Sequence, residues 1–471
     1  MKWQITIDNF LGGFAPGWYL ATYPSYGNRN QAGDMQNVDL ISPAYITQGP
    51  GLATLTNGDQ AGVVTTLIRG ILEKAQASDV SFAVGGTKLY KISSTTVTSD
   101  VDFPHTITGA TNGEDVAYFQ GKIYYTWDTN VGLLTLPSTF DDDWGSTVPT
   151  GAAALQTGVP HPTEVGGNDF LYIGNKNYIT SYDGTTFTEK DLDLPDNTII
   201  QDLRWTSNRL WIAANQPDLT GSNNAIGSIY VWDGNSPSWE DEIRVSGRVG
   251  GMFVKNGILY VFYQDPSSIG GYKLGYVSGA GISELCSFTG SLPTYYQITE
   301  YKNFIIWVSG GEIWAFGAAE KSLPAMIFQL ADGGYATVGG LACPFGNPLI
   351  ASMTGTSYKL AKFSGYDTDC YWYSLLFDVT SFDRKSMIDK IKFNFELLAT
   401  GARVDYTFKN NKGTSLKTGI ISFTGDGAIT TKDFYPKAEA ENFRLELSWA
   451  NGSITNSVSI KNIKIEGHTI Q

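Results

Sequence analysis

The chain is expected to be all-β, a β-propeller of about six or seven blades followed by a C-terminal β-sandwich of the jelly-roll kind. Three observations lead there. A phrase of two short apolar runs joined by a tight turn recurs between residues 63 and 377, and from residue 378 onward it gives way to strict apolar–polar alternation. The composition, 13% aromatic with 53 Gly in 471 residues, is that of many short strands and tight turns. From residue 63 onward, no segment keeps a 3.6-residue apolar stripe for three turns without Gly or a β-branched interruption, so helix is expected to be scarce.

Residues 1–62 show neither pattern and read as an extended N-terminal arm. Their aromatics, Trp3, Phe10, Phe14, Trp18, Tyr19, Tyr23 and Tyr26, are the candidate assembly residues. An arm of this kind finds its burial against other surfaces, so deleting residues 1–27 should leave the rest folded. In the alternative reading, residues 3–7 supply a strand that closes the propeller ring.

Residues 63–377 are assigned to the propeller. The phrase occurs at 80–90, 116–125, 170–179, 203–212, 252–261 and 298–307, with a weaker copy at 341–350. Each is read as one hairpin per repeat, turning at steps such as Gln120-Gly121 and Asn256-Gly257 that tolerate positive φ. The repeat length of roughly 35 to 55 residues suits one four-stranded blade, and radial stacking leaves only short sheet edges. Tyr182-Asp183-Gly184 and Trp232-Asp233-Gly234 read as turns of outer hairpins. Two unrelated β-sandwiches in tandem are the competing architecture.

Residues 378–471 are assigned to the sandwich. Segments 390–397, 403–408, 443–449 and 458–465 alternate with period two, as half-buried strands do. The boundary is placed near 378–385, and residues 386–471 are expected to fold alone.

The formal charge is −14 with only 17% charged residues, which argues against specific nucleic-acid binding. A mildly acidic wall does suit DNA that has to slide past without being held. The first 20 residues lack a signal-peptide core, so synthesis in a cytoplasm without export is expected, and no run is long enough to span a bilayer. Cys286, Cys343 and Cys370 are odd in number and scattered, and are expected to be free, buried thiols.

Catalytic patterns are poorly represented. His105, His161 and His468 lie far apart, and there is no H-E-x-x-H, C-x-x-C pair or G-x-S-x-G. The stretch 181–187 approaches the Asp box of sialidase-type propellers but is one residue short, so a simple turn is expected. Asp141, Asp142 and Asp143 before Trp144 lack the Gly and Glu of a calcium loop and read as a solvated loop. No catalytic, metal or cofactor-binding residue is assigned, no cofactor is expected, and the chain is not expected to be an enzyme.

Residues 28–51, NRNQAGDMQNVDLISPAYITQGPG, resemble the N-terminal phrase of bacteriophage tail proteins of the tubular or nozzle type. Gln31, Asn37, Pro50 and Gly51 carry the match, and Gln48-Gly49 stands where an Arg commonly precedes Pro-Gly. The resemblance implies a virion structural protein: a propeller subunit in a six-fold ring of its own copies below the portal and adaptor, lining the channel through which DNA passes as non-specific cargo. A receptor- or glycan-binding phage protein is the alternative, with the propeller face or the sandwich offering Trp and Tyr to sugar rings. A polysaccharide-degrading propeller is a third, and it would need a convergent set of ionisable groups that the spacing does not reveal.

Overall fold

The computed structural model describes residues 2–7, 10, 20–21, 32–40, 45–73, 79–147, 154–216, 226–264, 270–317, 326–332, 337–378, 385–410 and 412–470. Of the described residues, 61% are in strands and 3% in helix, as the absence of helical apolar stripes leads one to expect.

Among the described residues, seven of the sheets are four-stranded and antiparallel. The strands of blades 1 to 6 lie between residues 70 and 106, 113 and 141, 163 and 193, 199 and 245, 249 and 289, and 298 and 332. Blade 7 takes three strands from residues 337–366 and its outer strand from Pro50–Thr54. Each of the seven phrases falls in one blade. Those at 80–90 and 170–179 are the second and third strands of blades 1 and 3, and the others are first and second strands. The turns have the geometry their residues allow, with φ of 47° and 81° at Gln120 and Gly121 and 51° and 75° at Asn256 and Gly257.

The outer hairpins turn on aspartates. Asp183 Oδ1 accepts the N–H groups of Thr185 and Thr186 at 2.7 Å each, and Asp233 Oδ1 accepts those of Asn235 and Ser236 at 2.9 and 2.8 Å. The stretch 181–187 is therefore a strand end and a self-closed turn.

Blades adhere through apolar clusters drawn from adjacent sheets. Tyr172 and Leu192 of blade 3 pack with Leu210, Tyr230 and Trp232 of blade 4. The first strands of neighbouring blades touch around a central channel, and the ring closes where the Gly340 N–H donates to the Ile68 carbonyl at 2.9 Å. A side chain at Gly340 would run into the Arg69 carbonyl, so this seam requires glycine.

The C-terminal unit is two β-sheets around a common core. In the five-stranded sheet, Ile460–Ile470 pairs on one side with Lys2–Ile7 and on the other with Lys385–Phe395, which in turn pairs with Thr431–Phe434 and Ala438–Ala440. In the seven-stranded sheet, Asn442–Ser448 pairs with Arg403–Asn410, Tyr371–Ser374 and Leu376–Asp378. Ala32–Gln36, Leu20–Ala21 and Ser415–Ser422 form its margins. The alternation read from the sequence holds here: Ile391, Phe393, Phe443, Leu445 and Leu447 point inward and are buried.

These pairings correct the division at residues 62 and 377. Lys2–Ile7 and Ala32–Gln36 are sandwich strands and not a free arm, and Pro50–Thr54, not residues 3–7, closes the propeller. Tyr371–Ser374, placed with the propeller, belongs to the sandwich. The physical reason is edge satisfaction, since each of these segments pairs a sheet margin that would otherwise present unpaired N–H and C=O groups. The two units also share one apolar cluster: Tyr301, Phe304, Ile306 and Phe363 of blades 6 and 7 join Trp372, Phe393 and Trp449 through Met35, Val38, Leu40 and Ile46.

The three cysteines are free, with Cys370 buried and Cys286 and Cys343 half-buried rather than fully so. Among the described residues no helix is long and apolar enough to cross a membrane.

Candidate functional site

Two of the candidate assembly residues are described, and both are packed within the chain. The Trp3 indole N–H donates to Ser386 Oγ at 3.2 Å, and its ring stacks 6.0 Å from that of Phe443. Phe10 is buried and meets Trp372 edge-on at 5.2 Å. Phe14, Trp18, Tyr19, Tyr23 and Tyr26 lie outside the described residues.

The ionisable groups that do converge are on the first strands of the blades, around the propeller channel. A cavity of about 540 Å³ opens there, walled by Glu73, Asp115, Glu164, Arg204, Tyr118 and Tyr295. Two aspartates sit at bulges where the first strand shifts register against the second, at Gly113/Asp115 and Ile200/Asp202. Each makes the same clasp. Asp115 accepts from its neighbour Val116 N–H at 2.9 Å and from Thr163 N–H of blade 3 at 2.7 Å. Asp202 accepts from Leu203 N–H at 2.8 Å and from Met252 N–H of blade 5 at 2.5 Å.

Two glutamates extend the pattern. Glu164 of blade 3 accepts the Trp205 N–H of blade 4 at 2.9 Å. Glu73, just after the first strand of blade 1, accepts Thr299 Oγ1–H of blade 6 at 2.8 Å and Cys343 N–H of blade 7 at 3.4 Å. Arg204 lies among them, 3.5 Å from Asp202 and 3.9 Å from Glu164, and it donates to the carbonyls of Met252 and Tyr295 at 2.9 and 3.3 Å.

Burial is the first cause of the titration behaviour. It raises Glu73 and Glu164 to about 7 and Asp115 and Asp202 to about 6, against the pull of Arg204 and of the backbone donors. The carboxylates in turn hold Arg204 above its ordinary value. Chemically, the cluster fastens blade to blade through charge-assisted hydrogen bonds and holds exchangeable protons near neutrality. Replacing Asp115 with Ala is expected to cost about 3 kcal/mol by orphaning the Thr163 N–H; an unchanged thermal midpoint would show that the clasp carries no load.

The sequence reading missed this cluster because its members are far apart in the chain and conform to no spacing motif. A signal was present: an acid stands in or beside the first strand in each of blades 1 to 4, in 73-Glu, 115-Asp-Val-Ala, 164-Glu-Val and 202-Asp-Leu-Arg.

The other polar residues singled out in the sequence do not join the cluster. His161 is buried between the carbonyls of Gly174 and Asp128, at 2.9 and 3.0 Å, and burial pushes its pKa down. His105 stacks on Phe140 at 3.8 Å and meets Asp142 at 2.9 Å, while His468 meets Asp389 at 2.7 Å. Asp142 is held down to about 2 by His105, Tyr125 and the Thr108 N–H, although partial burial opposes this. Asp143 accepts from Asn130 at 3.2 Å, and Trp144 is buried, so this loop is tied into the blade more firmly than a solvated one. Among the described residues no three His, Cys, Asp or Glu are placed to hold one metal ion.

The chain matches no protein-family model and no curated protein sequence. Among solved structures it is similar to the WD40 β-propeller domain of Doa1, at 11% identity and a TM-score of 0.46 over 67% of this chain and 96% of that one. It is similar to virginiamycin B lyase from Staphylococcus aureus, at 15% identity and a TM-score of 0.44 over 68% of this chain and 98% of that one. An extracellular domain from B. thetaiotaomicron aligns over 92% of this chain and 62% of its own, at 10% identity and a TM-score of 0.46.

Proposed function

We propose that the chain is a structural subunit of a bacteriophage particle, of the tail nozzle or neck type, and not a catalyst. It assembles with copies of itself into a ring, six-fold in the simplest arrangement, that docks on a portal or adaptor and surrounds the path of the departing DNA. The observation that carries this reading is where the phage-like phrase falls. Its described parts, residues 32–40 and 45–51, join the two units, with Ala32–Gln36 in a sandwich sheet, Val38, Leu40 and Ile46 in the shared core, and Pro50 beginning the outer strand of blade 7.

Two units that share a large apolar core move as one body, which suits a load-bearing ring subunit. The sandwich, read as jelly-roll-like, then serves subunit packing. The net charge of −14 supports a wall that lets phosphate pass without binding it. The channel carboxylates support a non-catalytic role because each is already engaged in joining blades.

The test is native mass spectrometry and negative-stain microscopy of the full chain, alone and mixed with the portal–adaptor complex of the phage that encodes it. A closed ring of copies seated on that complex is the expected result. A chain that stays monomeric in both settings and is missing from purified particles would sink the proposal.

A further inference from the structure

A second cavity lies outside the propeller channel, in the seam between blade 7 and the sandwich. It is an open cleft of about 780 Å³. One wall is blade 6 and blade 7, with Tyr301 and Lys302 at one turn and Lys362 to Tyr366 along a strand. The joint segment supplies Tyr45, Gln48 and Pro50, and the sandwich supplies Glu396 and Ser459.

The strand Ser357–Tyr366 shifts register against Pro50–Thr54 between Phe363 and Tyr366. Ser364 and Gly365 therefore bulge out of the ladder, both exposed, with Gly365 at φ 65°. A bulge of this kind re-aims side chains beside a site. Here it turns Tyr366 toward the cleft.

The charges lining the cleft cancel: Lys302 and Lys362 face Asp39 and Glu396. Several are also quenched locally. The Lys302 ammonium lies 4.9 Å above the Tyr301 ring, Lys362 Nζ donates to the Ser94 carbonyl at 2.8 Å, and Glu396 has Lys461 at 3.9 Å. An ionic ligand would find no net field. A purely apolar one would bury Asn347, Ser364 and Ser459 without partners.

What remains is a surface of hydrogen-bonding groups and phenol rings. Gln48 is fully buried and donates through Nε2 to the Asp367 carbonyl at 2.7 Å, so it braces the cleft wall from behind. Asn347 and Ser364 are exposed, and Tyr45 and Tyr366 are half-buried. Such a lining matches a molecule that is electroneutral, dense in hydroxyl groups, and equipped with flat C–H faces to lie on tyrosine rings.

We infer that this interunit cleft binds a short neutral oligosaccharide, with Tyr45 and Tyr366 as the ring contacts and Asn347 and Ser364 as hydroxyl partners. The inference does not rest on ring assembly, and a subunit that fails to assemble can still bind sugar.

The test uses the full chain and a panel of cello-, malto-, manno-, galacto- and N-acetylchito-tetraose, read by saturation-transfer NMR and titration calorimetry. At least one member is expected to bind with a Kd between about 10 μM and 1 mM. Tyr366→Ala and Asn347→Ala should each weaken it by about tenfold, the worth of one good contact. Asn347 is exposed in a turn, so its substitution leaves the fold intact; the melting temperature checks Tyr366→Ala. Tyr435→Ala, at a site 62% exposed that does not line the cleft, should change nothing. The inference is overturned if no saccharide approaches saturation at about 10 mM, or if binding survives both cleft substitutions undiminished.

Discussion

Deleting residues 1–10 from the full chain is expected to unfold the C-terminal sandwich and to carry the neighbouring blades with it. The strand Lys2–Ile7 pairs with the last strand from Lys2 opposite His468 to Ile7 opposite Ile463, so its loss exposes that strand as a bare edge. Ile5, Ile7 and Phe10 are all buried and leave three holes in the core. Large-to-small losses at such sites cost about 2–5 kcal/mol each, and a typical domain has only about 5–15 kcal/mol in total. Because Tyr301, Phe304 and Phe363 of blades 6 and 7 share the same cluster, the intact chain should melt in a single transition.

The same pairings predict that residues 386–471 alone do not fold cooperatively, contrary to what their alternation implies. That fragment lacks Lys2–Ile7, Ala32–Gln36 and Tyr371–Ser374. Calorimetry of the deletion and circular dichroism of the fragment check both points. A truncated chain that melts like the full one would contradict the assigned pairing.

Replacing Arg204 with Met is expected to destabilise the propeller strongly at pH 8 and much less at pH 5. Arg204 lowers the pKa of Glu73, Asp115, Glu164 and Asp202 by its charge, so without it four crowded acids face one another in a partly desolvated channel. Breaking a buried charge cluster by removing one partner costs about 3–5 kcal/mol.

The pH dependence follows from the direction of the shifts. All four acids have folded pKa values, about 6 to 7, above their ordinary values of 3.8 and 4.5. Between those limits the folded state binds more protons than the unfolded one, so this contribution is full below about pH 4 and is lost as pH rises through 6 to 7. The native chain should therefore gain melting temperature from these groups as pH falls from 8 to 5. The Arg204→Met substitution raises the four values further and steepens that gain. Thermal melts at half-unit pH steps provide the measurement, and a variant equal to the native chain at pH 8 would contradict the role given to Arg204.

The blades were legible because a hairpin is a local object. In 252–261 or 298–307, two runs of β-forming residues flank a turn whose residues accept positive φ, and every contact that defines the hairpin lies within about a dozen residues. The aspartate turns at 183 and 233 were legible for the same reason. Alternation likewise exposed which side of 390–397 faces a core.

Sequence by itself thus determined an all-β chain, seven hairpin phrases that became seven blades, and the half-buried character of the C-terminal strands. Only the tertiary structure decided which segments complete them. Lys2–Ile7 pairs with a strand more than 450 residues away, and Pro50–Thr54 closes a blade built from residues 337–366. Such pairings leave no periodic trace, because a strand's pattern reports which of its faces is buried and not which edge it meets. The channel cluster escaped for a related reason. Glu73, Asp115, Glu164, Asp202 and Arg204 converge because radial packing turns the first strand of each blade inward, and that geometry does not exist until the ring is closed.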